Sequence, residues 1–150
     1  MSLQERLTED VKTAMKAREA GKSRLSVLRM VKASIRNIEI DRKKELNDED
    51  VLDVLAKEVK MRRDSMDDFR KGNRPDLVAA LEEEIAILAE YLPAQLSEEE
   101  VRALVDQAVS QAQATTAKDM GKVMAILMPQ VKGKADGKLV NTLVRERLNQ

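Results

Sequence analysis

The side chains that most often make and break bonds at neutral pH are missing from this sequence. It has no histidine and no cysteine, which removes the usual proton shuttle, the thiolate nucleophile and the commonest zinc ligands. Acyl or amide transfer would then need a serine beside a lysine, or an arrangement of carboxylates. Ser2, Ser23, Ser26, Ser34, Ser65, Ser97 and Ser110 all fall on expected helices, caps or turns, and none stands in a Gly-x-Ser-x-Gly elbow. Neither the Gly-rich loop ending in Lys-Ser/Thr nor the Gly-x-Gly-x-x-Gly turn occurs, so both common nucleotide cradles are absent. Glu82, Glu83 and Glu84 supply carboxylates, but successive helical residues point in different directions and do not converge on one ion. The expectation is a chain that is not an enzyme on its own, takes no metal or cofactor, and works by binding.

Charge is what such a chain can bind with. The 27 basic and 27 acidic side chains cancel, so no global field draws it to a polyanion or a membrane. Their layout is uneven: residues 11–44 hold eleven basic side chains against three acidic ones, and residues 45–100 hold seven against seventeen. Lys22, Arg29, Arg36 and Lys43 recur every seven residues, with Lys32 adjoining, and align along one side of a helix. That is a candidate phosphate-binding ridge, against the alternative of pairing with acidic neighbours or plain solvation. Lys118, Lys122, Lys132, Lys134 and Lys138 gather around two expected helix starts, where unpaired backbone N–H groups and the helix dipole also favour anions. These five are the candidate nucleic-acid-binding residues. One Phe, one Tyr and no Trp argue against base stacking, leaving shape and phosphate contacts as the mode of recognition. A rival use is a protein-interaction adaptor, in which Met120, Met124 and Met128 grip a partner helix.

The elements that must position these residues are all helices. Apolar residues recur at helical spacing almost throughout and no strand-like alternation persists. Ser2 with Glu5 predicts a first helix ending at Gly21. A second is expected from about Arg24 to Lys44, and a third from an Asn47 cap to Gly72, with Leu52, Leu55, Val59, Met66 and Phe69 on its core face. Asn73 is expected to cap a fourth, which has Pro75 in its first turn and buries Leu77 or Val78, Leu81, Ile85, Leu88 and Leu92. Leu92-Pro93 ends that four-helix unit, and residues 94 to 96 read as a hinge. Ser97 with Glu100, Thr116 and Asp136 then cap three more helices, the middle one stopped or kinked by Pro129 near Met128. The fold expected is all-α, with a helical bundle at residues 1–93 and a small three-helix tail at 94–150. The first twenty residues are charged throughout, no apolar run is long enough to span a bilayer, and the chain reads as cytoplasmic with no membrane partner.

Longer stretches carry a likeness. Residues 133–148, GKADGKLVNTLVRERL, resemble the end of the GatB/YqeY domain, and residues 87–97, ILAEYLPAQLS, resemble its central signature. With residues 57–65, KEVKMRRDS, the resemblance to the YqeY family covers essentially the whole chain. It implies the fold of the helical and tail regions of GatB, a subunit of the glutamine-dependent amidotransferase that amidates mischarged Glu-tRNA or Asp-tRNA. It therefore implies an accessory module that contacts tRNA or other structured RNA through the five lysines. About four phosphate contacts would give a log-log salt slope of roughly −3.6. The large catalytic part of GatB and the glutaminase subunit have no counterpart here, so a contribution to carbon–nitrogen ligase activity would require other subunits.

Overall fold

Side chains that cap helix starts set most of the element boundaries. In a computed structural model describing residues 1–149, seven α-helices and no strands occur among the described residues. Ser2, Asn47 and Ser97 each accept from the backbone N–H three residues on, and Glu5, Asp50 and Glu100 return the bond to the cap's own N–H. These reciprocal boxes satisfy donors that have no partner inside the helix, and they open α1 (Leu3–Lys16), α3 (Asp48–Lys71) and α5 (Glu98–Ala112). The other helices are α2 (Lys22–Arg42), α4 (Pro75–Ala89), α6 (Met120–Val131) and α7 (Gly137–Leu148).

Several boundaries differ from the sequence expectation, each for a local reason. The first helix stops at Lys16, not Gly21, and a short 3-10 turn, Arg18–Gly21, leads straight into α2. Buried Gly21 lies so close to α1 that a Cβ there would sit 2.3 Å from the carbonyl oxygen of Ala14. Asn73 does not cap α4. It adopts a left-handed backbone (φ 54), and the bonds Asn73 N–H to Arg70 O and Arg74 N–H to Phe69 O close a Schellman ending on α3. Arg74 becomes the N-cap of α4, without a side-chain bond. Pro129 does not stop α6, which continues to Val131; the N–H of Lys132 still reaches the carbonyl of Met128 at 2.9 Å. After Ala89 the chain tightens into bonds from Glu90, Tyr91 and Leu92 to carbonyls three residues back. This turns Tyr91 inward, and it is 4% exposed.

Residues 1–92 form one compact unit and residues 93–150 another. In the first, α2 packs against α1, α3 and α4, and Leu28, Val31 and Ile35 join Leu7, Leu55 and Leu88 in the core. Burying one side of α2 against three neighbours fixes which side faces water. In the second unit, α5 packs on α6 and α7 around Val105, Val123, Leu127, Val140 and Val144. Residues 94–96, expected as a hinge, are held there: Leu96 N–H donates to Lys134 O at 2.8 Å and the Gln95 amide donates to Gly133 O at 2.9 Å. Gly133 turns that corner with φ 75, a conformation that costs glycine little.

Two glycine substitutions test this packing in opposite directions. Gly21→Ala has to displace the α1 backbone and should lose about 1–3 kcal/mol. Gly121→Ala points into open space on exposed α6 and should gain about 0.4–1 kcal/mol by restricting the unfolded chain. Urea unfolding followed by helical circular dichroism reads both.

Candidate functional site

The five candidate lysines divide into two groups. Lys118 lies in the 3-10 turn Ala117–Asp119 and Lys122 in the first turn of α6, while Lys132, Lys134 and Lys138 surround the corner between α6 and α7. All five are exposed. The groups sit toward opposite ends of α6, and the ten residues from Lys122 to Lys132 correspond to a rise of about 15 Å. The two helix starts already hold carboxylates of the chain itself. Asp119 accepts from the N–H groups of Thr115 and Thr116 and lies 3.8 Å from Lys122. Those backbone bonds, Thr115 first, hold its carboxyl below the ordinary range. Asp136 caps α7 through the N–H of Lys138. An anion at either start would therefore meet lysine side chains, and the Lys132–Lys134–Lys138 corner is the denser group.

The α2 ridge survives folding as an open surface. Lys22, Arg29, Arg36 and Lys43 are exposed, and among the described residues none makes an ion pair. Nearby acids have other partners: Glu90 pairs with Arg24 and Asp50 with Arg42. Lys32 is half-buried and donates to Thr8 Oγ1 at 3.0 Å.

Of two further charged clusters, one is buried and the other lies at the surface around buried Tyr91. Arg62 is 6% exposed and Glu58 is 7% exposed, both on the core side of α3. Arg62 donates to Glu58 Oε2 at 2.7 Å, to the Glu58 carbonyl at 3.0 Å and to Glu84 Oε1 at 3.2 Å on α4. Its remaining nitrogen faces the sulfur of Met30, and Ser34 on α2 donates to Glu58 Oε1 at 3.1 Å. Every buried polar side-chain atom in this cluster has a partner, the arrangement expected of an internal tie. Sequence reading missed it. The available signal was the interval in the α3 stripe between Val59 and Met66, which Arg62 fills in register.

The second cluster closes α1 and α2 over the end of α4. The Tyr91 hydroxyl donates to Asp10, Arg6 stacks 4.5 Å above the Tyr91 ring and donates to the Glu90 carbonyl, and Arg24 pairs with the Glu90 carboxylate. Burial, reinforced by the bond to Asp10, pushes the Tyr91 hydroxyl well above its ordinary value. Glu82 and Glu84 point to Arg70 and Arg62 respectively. No helix is long and apolar enough to cross a membrane among the described residues.

The fold and these surfaces define an all-helical protein with tied internal charge and outward cationic faces. It belongs to the Yqey-like protein family, whose profile matches residues 4–148. It is 39% identical over 136 residues to altered inheritance of mitochondria protein 41, mitochondrial, of Kluyveromyces lactis, covering 88% of this chain and 68% of that protein. With the protein of the same name from Lachancea thermotolerans it shares 38% over 87 residues, 57% of this chain and 46% of the other. A shorter match, 44% over 59 residues, is to a glutamyl-tRNA(Gln) amidotransferase subunit of Thermococcus gammatolerans, covering 37% of this chain and 9% of that protein. It supports the kinship of this family with amidotransferase subunits. The relatives named as mitochondrial overturn the cytoplasmic expectation. That expectation rested on a charged start and the lack of a long apolar run, features that do not distinguish one aqueous compartment from another.

Two measurements test these clusters. Arg62→Met leaves Glu58 buried without its cation and should cost about 3–5 kcal/mol; adding Glu58→Leu should recover much of that loss in urea unfolding. Tyr91 is the sole tyrosine, so tyrosinate absorbance follows one group. A raised folded value favours the protonated hydroxyl, so its contribution to stability is full below the ordinary 10.0 and is lost as pH rises beyond it. The native protein should titrate above that value, and the urea-unfolded chain near it.

Proposed function

We propose that this protein is a non-catalytic accessory module that binds structured RNA, tRNA being the leading candidate, through the corner between α6 and α7. The observation that carries this is the exposure of Lys132, Lys134 and Lys138 together around one tight turn. The kinship with a tRNA amidotransferase subunit gives the class of ligand. Recognition by shape and backbone charge suits the side chains present, because Tyr91 is buried and Phe69 half-buried, leaving no exposed ring for a base to stack on. Such a module holds RNA while other subunits do any bond-making.

The methionine surface offers less to a protein partner. Met120 and Met124 are half-buried against the core of the second unit, and of the three only Met128 is substantially exposed, at 40%.

Three phosphate contacts at the corner would contribute roughly −2.7 to the log-log salt slope of duplex-like RNA binding. Replacing Lys132, Lys134 and Lys138 with Gln should remove that increment and weaken tRNA binding in fluorescence anisotropy at low salt. Unchanged affinity and slope would refute the corner as the contact.

A further inference from the structure

The first unit carries a second cationic surface that the corner does not include. Lys22, Arg29 and Arg36 are spaced by seven along α2, with Lys43 at its C-cap, and a seven-residue step drifts by only about 20° around a straight helix. The three therefore lie within about 40° of one another, along about 21 Å of helix axis. Ile40 lies on the same arc, with Ala33 and Ser26 beside it, and no carboxylate falls within it. The acids of α2 lie outside it. Asp41 is around the helix from the ridge, and the Glu39 carboxylate is occupied by the Gln4 amide and the N–H of Leu46. Those bonds, that of Leu46 first, lower its pKa.

Beside the ridge, α1 and α2 flank an open cleft of about 470 Å³ whose lining includes Gln4, Leu7, Lys32, Ile35, Arg36 and Glu39. Lys32 and Arg36 stand one turn apart at this cleft, close enough to hold a single anionic group between them. The face is also stiff, because the opposite side of α2 is locked into the core and its Ser34 is tied to Glu58.

We infer that the α2 ridge is a second nucleic-acid contact, binding the phosphate backbone of duplex RNA along its length. Charge complementarity selects the occupant: three outward cations of α2, with no ion-pair partner among the described residues, meet a ligand with a regular row of anions. A straight, rigid helix face with no exposed aromatic ring suits a duplex better than a single strand, which relies on stacking. An anionic membrane is the poorer fit, since the apolar stripe of α2 points inward and Ile40 is the one strongly exposed large apolar side chain on the arc. The inference rests on the RNA-binding reading for the class of ligand but not on the α6–α7 corner.

The test uses the full chain with three substitutions, Lys22→Gln, Arg29→Gln and Arg36→Gln. Lys43 is left in place because its left-handed backbone ends α2. A matched triple, Lys57→Gln, Lys60→Gln and Lys71→Gln, removes the same charge from exposed positions of α3. Binding of a short RNA duplex is measured by anisotropy from 50 to 200 mM salt, with circular dichroism to confirm retained helicity. The ridge triple should flatten the log-log slope by about 2.7, so that this fourfold rise in salt weakens it about 40-fold less than the parent. The swap Lys22→Arg, Arg29→Lys, Arg36→Lys should keep the parental slope. An unchanged ridge triple, or an equal loss in the α3 triple, overturns the ridge. Loss in the ridge triple with none in the corner variant supports the ridge and refutes the corner; the reverse result refutes the ridge alone. Parental protein that binds vesicles of anionic phospholipid but no RNA duplex overturns both.

Discussion

A guanidinium almost without water organises the first unit. Removing Arg62 from solvent is costly, and the cost is offset only when Glu58 and Glu84 both reach it with good geometry. Glu58 lies one turn away on the same helix, but Glu84 belongs to α4, and the second oxygen of Glu58 accepts from Ser34 on α2. One buried cation therefore sets the relative rotation of three helices, which nonspecific apolar packing tolerates in several versions. The apolar residues around it, Val31, Ile35, Leu55 and Leu88, supply most of the driving force, while the charged tie selects one packing. Because Ser34 takes part, the tie also determines which side of α2 looks outward.

The outward side collects cations that have no role inside. Acids of residues 45–100 outnumber bases, yet several are committed: Glu58 and Glu84 to Arg62, Glu90 to Arg24, Asp50 to Arg42. The ridge of α2 is what remains. In the second unit, Asp119 and Asp136 serve the starts of the 3-10 turn before α6 and of α7, while Lys132 and Lys134 of the corner face solvent. In both units the acids are used largely for local structure, and the exposed field is shaped by the bases left over. Such a field acts over roughly 8–10 Å at physiological salt, so it is felt by a ligand already close to the surface.

How far the sequence could be read depended on whether the chemistry was local. Ser2 with Glu5 and Ser97 with Glu100 announce helix starts, because both partners lie within one turn. The helix ends were harder. The ends of α2 and α3 fell within two residues of expectation, but that of α1 came at Lys16, well before Gly21, and Asn73, whose left-handed backbone ends α3, was read as a cap for the wrong helix. Arg62 escaped notice because charge is normally solvated; only α2 and α4 make its position interior. The five lysines looked like one group in sequence, but the length of α6 separates them. The ridge was legible as a spacing, whereas its freedom from ion pairs depends on which arginines the acids choose in three dimensions.

The ridge gives the molecule an unusual relation to its own isoelectric point, about 6.4. Titration counts protons and is blind to their arrangement, so it describes a particle with no preference for either sign. A chromatographic resin samples only the face turned toward it. A cation-exchange bead can meet α2 while an anion-exchange bead meets the acidic helix surfaces, so the protein should be retained on both matrices near neutrality, as a patchy colloid is, where a uniformly mixed surface of equal net charge would wash through.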